Sequence, residues 1–223
     1  MLEKVLSIIA LSAVLLDGTM KTALPDKHMD GTLFLVNRQH AVSKYYSPLT
    51  RKVTGPGMSQ SMRVDAAAAL EEMFAAAKED GITLSIVSGY RSYSKQSTIY
   101  SRKKAQQGEA AADRISARPG TSEHQLGLAM DLSQKGSSTL NSAFAKTKEG
   151  QWVSANAHRF GFIVRYLEDY EDVTGYVYEP WHVRYVGAEH AAALYECGLP
   201  MEMYMSGFKL EVYDYLIHQV TNE

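Results

Sequence analysis

Two polar stretches set the terms on which this chain can fold. The first, from Ser122 to Asp131, reads Ser-Glu-His-Gln-Leu-Gly-Leu-Ala-Met-Asp; the second, from Tyr178 to Gly187, reads Tyr-Glu-Pro-Trp-His-Val-Arg-Tyr-Val-Gly. Between them they hold two histidines, an aspartate and a spare glutamate. Those are the parts of a hydrolytic zinc site, which needs three N/O ligands, an open position for water and a nearby base. A fold that uses them together must bring two distant stretches side by side.

The local patterns suggest how. Arg118-Pro119-Gly120 forces an irregular approach to His124, and Gly127 loosens the chain before a strand over Leu128 to Leu132. A loop then delivers one ligand and the following strand another, which puts both on well-held backbone. The second stretch lies in a β-rich run, Val177 to Val186, interrupted by Pro180. Proline must bend a strand or occupy its edge. In a regular strand residues three apart face opposite sides, so Glu179 and His182 serve one site only if the backbone kinks between them.

The rest of the chain reads as scaffold. Ala66, Ala69, Leu70, Met73, Phe74 and Ala77 recur at three- and four-residue intervals between Met62 and Asp80, predicting an amphipathic helix ended by Gly81. A strand over Ile82 to Val87 leads into the turn Ser88-Gly89-Tyr90-Arg91-Ser92. Ser92 or Ser94 then caps a helix from about Lys95 to Gln107, stopped by Gly108. Arg91 therefore stands at a strand-to-helix junction, where a guanidinium and backbone N–H groups can converge on an anion. Further on, a helix with Trp152 and Ala155 closes at Gly161, Phe162 to Tyr166 reads as a strand, and Ala188 to Cys197 as a helix ended by Gly198. Thr32 to Val36 reads as a short edge strand and Tyr45 to Ser61 as loop. The acid-rich Leu167 to Gly175 reads as a hairpin loop without the spacing of a calcium site, and Leu210 to Val220 as a last helix or strand.

With 223 residues, 45% of them hydrophobic, the chain suffices for one well-buried core. The helices and strands read above give an expected fold class of α+β in a single domain. A net charge of -2 gives no basic field for nucleic acid, so no nucleic-acid partner is expected and specificity must be local. The single cysteine, Cys197, excludes an internal disulfide and a CxxC motif; its apolar neighbours suggest a buried, inert thiol. Five of the seven histidines, His28, His40, His158, His190 and His218, read as ordinary core or surface residues. The apolar run Val5 to Leu16 has the length of a secretory signal core and falls short of the roughly 20 residues that span a bilayer. Residues 1–24 are thus expected to be a signal-like leader or anchor, 25–223 the domain, with its core over about 33–205.

His-x6-Asp is a loose spacing, and alone it does not establish a metal site. Several separated motifs in order carry a resemblance that does more: Ser88-Gly89-Tyr90-Arg91-Ser92, Ser116-Ala117-Arg118-Pro119-Gly120, Ser122-Glu123-His124 with Gly127 and Asp131, and Glu179-Pro180-Trp181-His182 with Arg184-Tyr185. Over roughly Leu33 to Met205 the chain resembles the zinc D-alanyl-D-alanine carboxypeptidases of the LdcB/VanY type. These share a fold with the hedgehog signalling domain, which implies a central, mainly antiparallel sheet flanked by helices, and they trim bacterial peptidoglycan stem peptides. The resemblance implies zinc held by His124, Asp131 and His182, Glu179 as general base and Arg91 stabilising the tetrahedral intermediate. It also implies a pocket lined by Gln96, Ser116 and Ser122, with Trp181 among the substrate-binding residues.

The substrate's free carboxylate needs a cationic or amide-rich seat, for which Arg118 or the turn around Ser122 is the candidate. The chain departs from the family at Ala41-Val42 and at Leu167-Glu168-Asp169-Tyr170, away from metal and base, so the exact peptide is left open. An extracytoplasmic enzyme of the bacterial cell envelope is expected, secreted or membrane-associated through the N-terminal apolar segment, with a monomer as the default. A cross-link endopeptidase and a non-catalytic zinc-containing wall-binding module are the alternatives; Glu179 and Arg91 favour an enzyme.

Overall fold

The computed structural model describes residues 31–206, so residues 1–24 and the segment Leu210 to Val220 lie outside the described residues. The chain divides into two units, Leu35–Pro200 and the terminal stretches Met1–Phe34 with Met201–Glu223. In the terminal unit, residues 201–206 are helical. Every candidate site residue belongs to the first unit.

The first unit opens with an antiparallel ribbon, β1 (Thr50–Lys52) with β2 (Ser61–Arg63). Sequence alone reads this region as loop, because three-residue strands flanked by Pro48, Gly55, Pro56 and Gly57 leave no alternation to detect. Helix α1 (Val64–Glu79) follows and buries Ala66, Ala67, Leu70, Met73, Phe74 and Ala77. Ala67 replaces half-buried Ala69 on the expected stripe. Leu70 and Met73 have no exposed surface; burying each contributes roughly 1.5–3 kcal/mol. The helix ends as its glycine predicted: Gly81 N–H donates to Lys78 O at 3.0 Å and Ile82 N–H to Ala77 O at 2.8 Å, the paired bonds of a Schellman motif.

Next come β3 (Leu84–Ser88), α2 (Tyr93–Gln107) and α3 (Glu109–Ile115). Ser92 is the cap of α2, accepting from Lys95 N–H at 3.3 Å. Sequence reading misses α3, whose seven residues are too few to show a period. The chain continues through β4 (Ala129–Gln134), α4 (Lys148–Asn156), β5 (Phe162–Tyr166), the short α5 (Glu171–Thr174), β6 (Glu179–Tyr185) and α6 (Ala188–Cys197). Strands β3, β4, β6 and β5 form one sheet in that spatial order, antiparallel throughout.

Two further expectations fail. Residues 32–36 are turn and coil: Val36 is fully buried, and burial of a short apolar run looks the same in sequence whether or not it pairs into a sheet. Cys197 is exposed, because it is the last residue of α6, at the end where Gly198 turns the chain away.

Pro180 is placed inside β6, which has neighbours on both sides. Pairing of β6 with β4 runs only from Arg184 to His182, and its register against β5 slips between Val164 and Tyr166, so that Tyr166 faces Glu179. Proline therefore sits where the ladder is already interrupted and no donor is missed. The kink required between Glu179 and His182 is this irregularity.

Candidate active site

The site is assembled where β4 and β6 pair. Asp131 and His182 are directly opposite each other across the two strands, the relation that brings side chains closest on an antiparallel sheet. His182 Nδ1 lies 3.0 Å from Asp131 Oδ1 and 3.9 Å from Glu179 Oε2. His124 arrives from a single 3-10 turn, Glu123–Leu126, all four residues of which are buried. The turn is closed by Gly127 at φ 71°, a left-handed conformation that side-chain-bearing residues rarely adopt.

His124 is held by its Nδ1, 2.7 Å from the Gly89 carbonyl, which assigns the proton to Nδ1 and leaves Nε2 as a lone-pair donor. That Nε2 is buried without a hydrogen-bond partner and lies 3.3 Å from Asp131 Oδ2. Gly89 makes the approach possible: a Cβ there would stand 2.7 Å from Ser61 O and 3.0 Å from the Met130 side chain. One ligand atom each from His124, Asp131 and His182 lies within 4.8 Å of the others, all three residues being buried. Two imidazole nitrogens and one carboxylate oxygen, with an orphaned buried nitrogen at their centre, are a donor set that suits zinc with a position left open.

Electrostatics separate the titratable groups. Burial, with the charge of Arg91, pushes His124 down to about 4, so it stays neutral and able to ligate. Burial acts to lower His182 too, but its hydrogen bonds with Asp131 and Glu123 win and raise it to about 9. Asp131 is held well below the carboxylate range: burial opposes this, and the two histidines outweigh it. Glu179 goes the other way, pushed up to about 7 mainly by burial, close to where a general base works best.

A cavity of about 280 Å³ opens beside these groups, and Arg91, Ser116, Ser122, Tyr166 and Trp181 line it. Arg91, at the β3–α2 junction, donates its backbone N–H to His124 O at 3.1 Å, while its Nε is buried without a partner. Two sequence candidates stand elsewhere. Gln96 is not among the lining residues; its Nε2 donates to Ala117 O at 2.6 Å, bracing the wall from behind. Arg118 is exposed and taken by acids of α3, donating to Asp113 at 2.8 and 2.9 Å and to Glu109 at 2.9 Å. An unforeseen helix supplied those acids, which is why the loop position of Arg118 misled.

The residue that sequence reading left without a role is Glu123. Its side chain has no exposed surface; Oε1 accepts from Arg165 Nε at 2.7 Å and from an Arg184 guanidinium nitrogen at 2.7 Å. Its Oε2 is 3.3 Å from His182 Nε2. Burial opposes ionisation, but the charges of Arg165 and Arg184 hold the carboxyl well below its ordinary range. One carboxylate thus joins the 3-10 turn to both β5 and β6 and orients His182 so that Nδ1 faces Asp131. A signal did exist: arginines inside two strand patterns demand a buried partner.

Comparison with known proteins agrees with this geometry. Residues 59–188 match the family model described as VanY, D-alanyl-D-alanine carboxypeptidase. The chain belongs to the VanY D-alanyl-D-alanine carboxypeptidase family. Among relatives of this VanY-family chain, YodJ of Bacillus subtilis (strain 168) is 42% identical over 188 residues, 81% of this chain and 69% of that protein. The solved LdcB LD-carboxypeptidase is 42% identical with a TM-score of 0.73, covering 77% of this chain and 84% of the other. The vancomycin-resistance D,D-pentapeptidase VanY, solved with Zn(II), is 37% identical with a TM-score of 0.69 over 78% of this chain and 98% of the other. The antiparallel α+β fold and the zinc carboxypeptidase class follow from this membership.

Proposed function

We propose that the protein removes a C-terminal D-alanine from peptidoglycan stem peptides, acting outside the cytoplasm at the cell wall. The observation that carries this is the convergence of His124, Asp131 and His182 around an unpartnered buried nitrogen, with the Glu179 carboxylate beside them. The three would hold zinc, which when bound supplies Lewis acidity and lowers the pKa of water from about 15.7 toward about 7.

Glu179, with its carboxyl pushed up to about 7, takes the proton of the attacking water and hands it to the departing amine. Arg91 lines the same cavity with an unpartnered Nε and donates to the oxygen on which negative charge develops. Ser116, Ser122 and Trp181 orient the peptide along the wall. The enzyme is proposed to act as a monomer. The likeness to both an LD-carboxypeptidase and a D,D-pentapeptidase leaves tetrapeptide and pentapeptide as the substrates to compare.

The test is to incubate the purified protein with synthetic stem peptides ending in D-Ala or D-Ala-D-Ala, with and without a zinc chelator, and to follow products by mass spectrometry. Loss of one terminal alanine that stops with chelator is expected. Cleavage of cross-linked wall without trimming of either free peptide would overturn the reading in favour of an endopeptidase.

A further inference from the structure

Two cations line the active-site cavity, and the proposed chemistry uses only Arg91. The other, Lys103, stands half-buried on α2. Its Nζ donates to the carbonyl of Ile115, the last residue of α3, at 2.9 Å. An ammonium carries three donors, so this bond fixes where the charge sits and leaves two N–H groups for a ligand. The acids around the site already have partners: Glu123 is held by Arg165 and Arg184, Asp131 faces both histidines, and the nearest charged neighbour of Glu179 is His182. Among the described residues Lys103 makes no ion pair with a carboxylate, and burial pushes its ammonium down from the usual lysine range. A chain whose net charge is -2 thus concentrates unpaired positive charge in one cavity, which is how a site for an anion is built.

The chemistry says which anion. Glu179 delivers its proton to the amine of the departing residue, and in a C-terminal amino acid the carboxylate carbon is two bonds from that nitrogen. The carboxylate must therefore lie on the Glu179 side of the cavity. Lys103 and Glu179 line the same cavity, the charge of Glu179 favours the ammonium, and Arg118, the sequence candidate for this seat, is turned away to Asp113 and Glu109. We propose that Lys103 seats the free terminal carboxylate of the substrate peptide and so makes the site choose chains that end over chains that continue. This rests on the carboxypeptidase reading above.

The experiment measures kcat/KM for one stem peptide with lysine at its third position, prepared with a terminal D-alanine acid or D-alanine amide. Wild type, Lys103→Met and Lys103→Arg are compared, with zinc content and circular dichroism as checks of folding. The acid-over-amide preference of the wild type is expected to collapse roughly 10–100-fold in Lys103→Met, the scale of a lost charged hydrogen bond. The loss should fall mainly on KM, and Lys103→Arg should recover part of it. With an active wild type, an equal loss on acid and amide in Lys103→Met, or an acid-over-amide preference left unchanged by that substitution, overturns the proposal alone. A wild type that cleaves neither peptide overturns the carboxypeptidase reading as well. A loss seen only when diaminopimelate replaces the third-position lysine also overturns it, by assigning Lys103 to that side-chain carboxylate.

Discussion

Two glutamates in this site do opposite work, and substitution separates them. In the proposed mechanism Glu179 is the base, its Oε2 standing 3.9 Å from His182 Nδ1. Glu179→Gln should keep a full complement of zinc while kcat falls about 10²–10⁴-fold, checked by metal analysis beside peptide kinetics; wild-type turnover would refute the assignment. Glu123 is a positioning residue, fixed by Arg165 and Arg184 and contacting His182 Nε2 at 3.3 Å. Glu123→Gln should weaken zinc binding about 10–100-fold, read by competition with a chelating dye. It should also destabilise the fold by about 3–5 kcal/mol, because two buried guanidiniums lose their counter-charge. A variant with normal zinc affinity would mean that Glu123 serves folding alone. Sequence singled out His124, Asp131, His182 and Glu179 through motifs whose resemblance implied one site, and the structure brings the four together. Sequence could not show what Glu123 does, since its partners are 42 and 61 residues away.

Elements position the site through their ends. The turn carrying His124 is reached from α2 and α3 and leads into β4, and the ribbon β1–β2 is tied to α1 by Glu71. That carboxylate accepts from Arg51 at 2.7 and 2.8 Å and from Thr54 N–H at 2.7 Å. The Arg51 hydrogen bonds lower its pKa from 4.5 to about 2. A depressed folded-state pKa gives stability that is present above the unfolded value and lost as pH falls through the folded one. The contribution of Glu71 should therefore be complete above about pH 4.5 and disappear toward about pH 2. Glu71→Gln should remove that part of the acid-unfolding curve and cost at most about 1 kcal/mol at neutral pH, since the pair is part-exposed; urea titrations across that pH range provide the check. Long periodic elements such as α1 and the strand β5 were legible in the sequence. The ribbon and α3 were not, since three- and seven-residue elements carry too few positions for a period to emerge.

For the whole molecule, zinc is part of the folding equilibrium, because the unfolded chain scatters ligands that the native sheet gathers. Free zinc at about 100 times its dissociation constant should add about 2.7 kcal/mol, a rise in Tm of roughly 5–10 °C for a domain of this size. Chelator should abolish it, and His124→Ala should show no zinc-dependent rise; differential scanning calorimetry would read both. What the sequence determined by itself is the supply of chemistry: two imidazoles and two carboxylates, in motifs specific enough to indicate family and metal, on elements whose periodicity is local. What only the tertiary structure decided is which distant groups meet. The β4–β6 register set Asp131 opposite His182, the acids of α3 drew Arg118 away, and the packing of α2 on α3 left Lys103 facing the cavity. Those outcomes depend on register and on the competition of charges across space, and neither is a property of any short stretch of chain.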